Sequence, residues 1–171
     1  MTDTRTAIER TIRDAPGVHF NELVRETPYA PGQVQYHVHD LVDTGRLARE
    51  ELFGRTHYYP SEYDAFQRRV LALVRRETTR DVLLATLDDD SNRPSDVADR
   101  VGIARSTLEH HVANLETAGV VEKERDSRGR VTLALARPRR TADLLETVEP
   151  SVHDRLVDRF TRLVDDLLAA D

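Results

Sequence analysis

The sequence predicts a mainly α-helical chain with small β-hairpins, an α+β fold built from two copies of one unit. The first observation is a repeat: residues 34–45 reappear 74 positions later as 108–119, with apolar, histidine and glycine positions matched. The second is a glycine-arginine pair that follows each copy, at 54–55 and at 129–130. A fixed period with matched core positions indicates one structural unit used twice.

Three helices followed by a hairpin are predicted for the first unit. Apolar residues at helical spacing define its third helix, whose inner stripe is Val34, Val38 and Leu41 and whose C-terminal cap is Gly45. The predicted elements are helices over 5–14, from the N-cap Asn21 onward and over 31–44, and strands over 46–51 and 56–59.

The second unit repeats this order. Gly119 ends its third helix as Gly45 does in the first unit, and Ser95 is a suitable N-cap for its second helix. The predicted elements are helices over 79–87, 96–101 and 104–118, and strands over 121–125 and 131–136.

The order helix, helix, helix, hairpin is that of a winged helix-turn-helix domain. Two such tandem domains are therefore expected, joined by a linker helix and followed by a C-terminal segment whose 151–170 stretch is an amphipathic helix with an approximate heptad stripe. That helix packs either on a partner chain, as a dimerisation helix, or back on its own chain. The predicted divisions are 1–60, 61–77, 78–138 and 139–171.

Composition narrows the function classes. The chain has 171 residues, of which 39% are hydrophobic and 33% charged, and no stretch approaches the roughly 18 apolar residues that span a bilayer. The N-terminus has no apolar run, so we expect no secretory signal and a cytoplasmic protein without membrane contact. The absence of cysteine excludes disulfides and thiolate metal sites.

Charge is unusual in kind as well as in sign. The formal net charge is -6, and 24 of the 25 basic residues are arginine. This Arg-rich, Asp-rich composition resembles that of proteins from salt-loving archaea, although a GC-rich genome would also favour arginine. Net acidity opposes nucleic-acid binding, which phosphate contacts usually dominate. In molar salt the Debye length is only about 3 Å, so long-range repulsion would largely vanish.

The third helices carry a recognisable pattern. The first reads Gln35-Tyr36-His37-Val38-x-x-Leu41-x-x-x-Gly45, and the second reads Glu109-His110-His111-Val112-x-x-Leu115-x-x-x-Gly119. This resembles the recognition helix of ArsR/MarR-like winged-helix transcriptional regulators. The resemblance implies a regulator that binds DNA with each third helix in the major groove. Dimerisation through the 151–170 helix would match a pseudo-palindromic operator, so a homodimer bound to operator DNA is expected.

Helical geometry selects the candidate base-reading residues, because the apolar stripe must face inward. Glutamine can pair with adenine N6 and N7, and arginine with guanine or phosphate. The alternative is that these polar side chains are simply solvated, and nearby acids such as Asp40, Asp43, Glu109 and Glu116 disfavour phosphate. The outward positions are Gln33, Gln35, Tyr36 and His39 in the first unit, and Arg105, Ser106, Glu109 and His110 in the second.

The two wings differ. Wing one offers Arg55 alone, whereas residues 121–140 hold seven basic residues against three acids. We expect this second stretch to grip the DNA backbone, unless it is only a solvated face. Alanine at Arg128 and Arg130 should then weaken binding to every sequence, and Gln35→Ala should alter sequence preference. The candidate contacts in wing two are Lys123, Arg125, Arg128 and Arg130.

Other chemistry finds little support. His37 and His111 recur at one repeat position, which indicates either a shared structural bond to a backbone carbonyl or a phosphate contact. No metal site, cofactor motif or catalytic constellation is recognisable, so we expect no enzyme. No effector pocket is recognisable either. The rival interpretation is a tandem winged-helix adaptor that docks proteins of the transcription machinery without sequence-specific DNA binding.

Overall fold

The computed structural model describes residues 3–87 and 92–148 and divides the chain at Arg75–Arg76 into two compact units. The first unit contains α1 (Thr4–Asp14), α2 (Phe20–Glu26), α3 (Pro31–Asp43), β1 (Leu47–Leu52), β2 (Arg55–Pro60) and α4 (Ala65–Val74). The second contains α5 (Glu77–Leu87), α6 (Pro94–Val101), α7 (Arg105–Thr117), β3 (Val121–Arg125), β4 (Val131–Leu135) and α8 (Pro138–Val148). The predicted α+β class is confirmed, because each unit contains the expected three helices and hairpin, with a fourth helix after the hairpin.

The third helix of each unit is fixed by its apolar stripe. Val34, Val38 and Leu41 on α3 are almost fully buried, as are their equivalents Leu108, Val112 and Leu115 on α7. Burying one such side chain contributes about 1.5–3 kcal/mol. The stripe therefore decides which face of each helix is left for solvent.

Each third helix is ended by a glycine with left-handed backbone. Gly45 has φ 70° and Gly119 has φ 73°, a conformation that costs other residues energy. The chain then enters an antiparallel hairpin, with Leu47 opposite Pro60 in the first unit and Val121 opposite Leu135 in the second. An isolated antiparallel β-bridge also links His19 to His57 of β2.

Several predicted boundaries are corrected. The helix expected over 61–77 is shorter: α4 begins at Ala65, because Asp64 and Gln67 form a reciprocal capping box, and it ends at Val74. It falls within the first compact unit, just before the division at Arg75–Arg76. The following helix starts at Glu77 instead of Thr79.

Two predicted N-caps are wrong. His19, not Asn21, caps α2, because its Nδ1 accepts a hydrogen bond from the Glu22 backbone N–H at 3.4 Å. Helix α6 begins at Pro94, so Ser95 lies inside its first turn. Proline suits that first helical position because its fixed φ is already helical and because a backbone N–H there would have no hydrogen-bond partner within the helix.

The predicted dimerisation helix over 151–170 lies outside the described residues. Among the helices of 3–87 and 92–148, none is long and apolar enough to cross a bilayer.

Gly17 is expected to tolerate alanine poorly, because two costs coincide there. Its φ is 87°, and an added Cβ would lie 3.1 Å from Leu71 Cβ and 3.3 Å from Tyr59 Cε1. We expect Gly17→Ala to lower the free energy of unfolding by roughly 2–5 kcal/mol. Gly45→Ala is the matched control, since φ is again positive but nothing lies within 4 Å. Urea unfolding should show the smaller loss for Gly45→Ala, and equal losses would contradict the predicted clash.

Candidate nucleic-acid interface

The face of α3 opposite its buried stripe is exposed. Gln35, Tyr36 and His39 lie on it, and Tyr36 is 70% exposed, the most uncovered large apolar side chain among the described residues. Gln33 has another role: its Oε1 accepts a hydrogen bond from the Ala30 backbone N–H at 3.2 Å, at the start of the helix. Of the four predicted α3 residues, three therefore have no part in capping the helix and present their side chains on its exposed face.

A cleft of about 480 Å³ joins this face of α3 to the hairpin, and we call it the helix–wing cleft. Gln35, Tyr36 and His39 line it on one side, and Arg49 of β1 and Tyr58 of β2 on the other. Burial raises the pKa of Tyr58, and Arg49 opposes this rise with its charge and a hydrogen bond. The sequence prediction missed Arg49.

The two acids of α3 are directed differently. Asp40 turns towards α1, where its Oδ2 accepts from Arg5 Nε at 2.6 Å. Asp43 lines the helix–wing cleft and lies 3.3 Å from His39 Nε2. Of the two acids, only Asp43 is therefore on the exposed face of α3 proposed to contact DNA.

Arg55 does not join the helix–wing cleft. It lines a separate cleft of about 550 Å³ with His19, Asn21 and Arg25, between α2 and the start of β2. Burial lowers the pKa of His19, and the positive charges of Arg55 and Arg25 lower it further. Arg25 of α2 was not predicted, and it places a second cation in the cleft that Arg55 lines.

On α7 the predicted residues Arg105, Ser106 and His110 are exposed. The charged ones are not independent, because Glu109 accepts from Arg105 Nε at 3.2 Å and from Lys123 Nζ of β3 at 3.0 Å. Lys123 also lies 3.6 Å from Glu116. Two predicted cations of the second unit are thus held by carboxylates of the same helix.

The turn of wing two is organised by Asp126. Its Oδ1 accepts the backbone N–H groups of Arg128 and Arg130 at 2.9 Å each, and its Oδ2 accepts from Arg130 Nε at 2.6 Å. These hydrogen bonds hold the pKa of Asp126 below its usual value. Arg125 Nη1 donates a hydrogen bond to the Gly129 carbonyl at 3.4 Å. Within the described residues, the Arg128 guanidinium has no hydrogen-bond or ion-pair partner.

The recurrent histidines share one contact and differ in another. Each meets the preceding ring edge to face, His37 with Tyr36 at 5.2 Å between ring centroids and His111 with His110 at 5.5 Å. The Nδ1 of His111 also lies 2.9 Å from Thr79 Oγ1, a side-chain partner and not the predicted backbone carbonyl. The residue equivalent to Thr79 in the first unit is Arg5, which bonds to Asp40. The repeat keeps the histidine but changes its neighbour.

His111 predicts a loss of stability in mild acid. Burial first, and then the charges of His110 and Arg76, lower its pKa below the ordinary 6.5. The unfolded chain therefore binds a proton that the folded chain does not, and stability should fall as pH drops through about 6.5. His111→Asn keeps a side-chain partner for Thr79 and should reduce this slope in urea unfolding at pH 7.5 and 5.5. Part of the slope should remain, because His19 shifts the same way. An unchanged slope would contradict the role of His111.

Comparison with known proteins supports the architecture. A family model described as an N-terminal HTH domain matches residues 2–71, and one described as winged helix-turn-helix DNA-binding matches residues 75–122. Over 127 residues the chain is 24% identical to a protein named as an HTH-type transcriptional regulator of Methanocaldococcus jannaschii. That match covers 74% of this chain and 32% of the relative, so the chain spans about a third of the relative's length.

Fold and matches together define the class. The chain contains two helix-turn-helix domains, one in each compact unit, and in each unit the third helix is followed by a hairpin wing. The proteins it is similar to are DNA-binding domains and a regulator, not enzymes.

Proposed function

We propose that this chain is a DNA-binding transcription regulator that places α3 and α7 in the major groove of operator DNA. The observation that carries the proposal is the exposed polar face of α3, with Arg49 at its edge. The pairing of Asp40 with Arg5 removes one negative charge from that face. A helix presented with one polar side uncovered beside a wing suits groove insertion.

The chemistry of the faces suggests a division of roles. The Gln35 amide offers both a donor and an acceptor, the pattern that adenine N6 and N7 require. Tyr36, His39, Ser106 and His110 add polar contacts along the two helices, and Arg105 suits guanine. The phosphate contacts fall to Arg55 with Arg25 in the first unit, and to Arg125 and Arg128 in the second. Gln33, Arg105, Lys123 and Arg130 already have partners within the chain, and they are weaker candidates than the sequence indicated.

The regulator acts as a homodimer in this proposal, through the heptad stripe of 151–170. A dimer matches a pseudo-palindromic operator and adds affinity that one acidic module lacks. The ArsR/MarR-like pattern of the third helices supports the same arrangement. Sedimentation of the full chain tests it: a monomer across micromolar concentrations would exclude the dimer.

A second candidate function is the protein-docking adaptor. The observation that favours it is the pairing of Arg105 and Lys123 with Glu109, which leaves the α7 face less positive than its arginine content suggests. Partner proteins tolerate such a mixed surface better than phosphate does.

Chromatin immunoprecipitation with sequencing, at the native salt of the host cells, distinguishes the two functions. We expect a few sharp peaks that share a palindromic motif. Gln35→Ala should change the motif, whereas Arg10→Ala, on the exposed side of α1, should leave it intact. A flat profile with the wild-type chain would exclude the regulator and favour the adaptor.

A further inference from the structure

One repeat position combines a helix residue with a wing cation in both units. Gln35 on α3 and Glu109 on α7 are 74 residues apart, as are Arg49 on β1 and Lys123 on β3. In the first unit Gln35 and Arg49 line the same cleft. In the second, Lys123 Nζ lies 3.0 Å from Glu109 Oε2. The two units therefore present an amide and a carboxylate at one equivalent place beside an equivalent cation.

Glu109 is held without being covered. Lys123 occupies Oε2 and Arg105 occupies Oε1 at 3.2 Å, while the side chain remains 41% exposed. A carboxylate has about four acceptor sites, so about two remain open towards solvent. Hydrogen bonds from Lys123 hold the pKa of Glu109 below its usual value, so the group accepts hydrogen bonds and does not donate them.

We propose that Glu109 is a specificity-determining residue that selects cytosine, so that the two helices prefer different bases at the same repeat position. Cytosine shows only the N4 amino donor in the major groove, which suits an acceptor-only carboxylate. Guanine shows two acceptors and repels it, and adenine places the N7 acceptor beside its N6 donor. Gln35, with a donor and an acceptor, fits adenine instead. This inference rests on the proposed DNA-binding function.

Exchanging the two residues gives a matched test. The full chain, as wild type, Glu109→Gln and Gln35→Glu, is used to select duplexes from a randomised pool, and sequencing gives the base preference at each position. Glu109→Gln should replace cytosine by adenine at one position of the motif, with roughly a tenfold change in relative affinity, the order expected for one base contact. Gln35→Glu should make the opposite change at a different position.

The outcomes separate this inference from the function on which it rests. If Glu109 merely supports the wing, Glu109→Gln will lower affinity for all sequences equally and keep the motif, which overturns the inference and leaves the regulator standing. A wild-type chain that enriches no motif overturns both. Glu109→Ala guards against a fold effect: it should lose the cytosine preference without gaining adenine, while its urea unfolding curve stays at the wild-type position.

Discussion

Alanine at both Arg125 and Arg128 is expected to weaken DNA binding on the order of a hundredfold at about 50 mM salt, whatever the sequence of the duplex. Both side chains are exposed on wing two, and neither is neutralised by a carboxylate within the described residues. Each arginine-phosphate contact contributes a slope of about 0.9 in the plot of log affinity against log salt. Losing two contacts therefore matters at low salt and has almost no effect near 1 M.

Fluorescence anisotropy with a selected duplex and an unrelated one, each titrated across salt, measures this slope. We expect it to fall by about 2 for the double variant on both duplexes. Arg130→Ala is the matched control from the same turn, because Asp126 already neutralises its guanidinium at 2.6 Å. The sequence alone assigned Arg128 and Arg130 the same role, and their contacts separate them. A slope that the double variant leaves unchanged would remove wing two from the interface.

Most of the fold could be predicted because its helices and turns depend on residue patterns that are local in the sequence. The stripes of α3 and α7 repeat at helical spacing, and the glycines that end them recur 74 residues apart. Burial and positive φ at these positions follow directly from that spacing. Because the unit occurs twice, each helix and strand could be predicted from two copies of its pattern, whereas the propensities of single residues give only one prediction.

Helix starts were predicted less well, because several neighbouring polar residues could each serve as the N-cap and the sequence does not show which one does. Asn21 has the better intrinsic propensity, yet the His19–His57 bridge fixes residue 19 in an extended conformation, and α2 starts immediately after it. The capping box of Asp64 and Gln67 was a recognisable sequence signal, but the helix was predicted to begin earlier, at Ser61.

The candidate site could be predicted only in part, because counting charged residues in a sequence does not show which of them form ion pairs. Asp40 is neutralised by Arg5, 35 residues away in sequence, and Lys123 is paired with Glu109, 14 residues away. Both pairings depend on tertiary packing, and each neutralises a charge that the sequence alone leaves unpaired. The acid that seemed to disfavour α3 faces α1, and a cation that seemed to favour wing two is already occupied. Arg49, by contrast, could have been found by extending the repeat to Lys123.

The whole-chain charge of -6 is therefore a poor guide to the interface. Glu9 shows the same effect inside the first unit: it is 7% exposed and accepts hydrogen bonds from Arg46 and Arg13. Acidic side chains that form such internal ion pairs contribute little to the electrostatic potential at the exposed face of α3. What remains there is Asp43 with His39, beside Arg49.

Leu41→Ala is expected to have a large effect on the stability of the first unit. Leu41 is fully buried in the core of the first unit, at the inner end of the α3 stripe. Truncating a buried leucine costs about 2–5 kcal/mol, from lost transfer free energy and the cavity left behind. A unit of 75 residues has only about 4–11 kcal/mol in total at typical stability per residue. The variant should therefore lose a large part of the stability of its first unit.

Gln35→Ala on the same helix is the matched control, because it removes an exposed side chain and leaves the core untouched. Urea unfolding should place Gln35→Ala near the wild type and Leu41→Ala far below it, while Leu115→Ala, the repeat equivalent in the second unit, should lose a comparable amount. DNA binding then separates two kinds of loss: Leu41→Ala should weaken binding to every duplex because α3 is no longer held, whereas Gln35→Ala should change which duplex is preferred. If Leu41→Ala stays as stable as Gln35→Ala, the buried stripe does not hold α3, and the orientation of its outer face loses its basis.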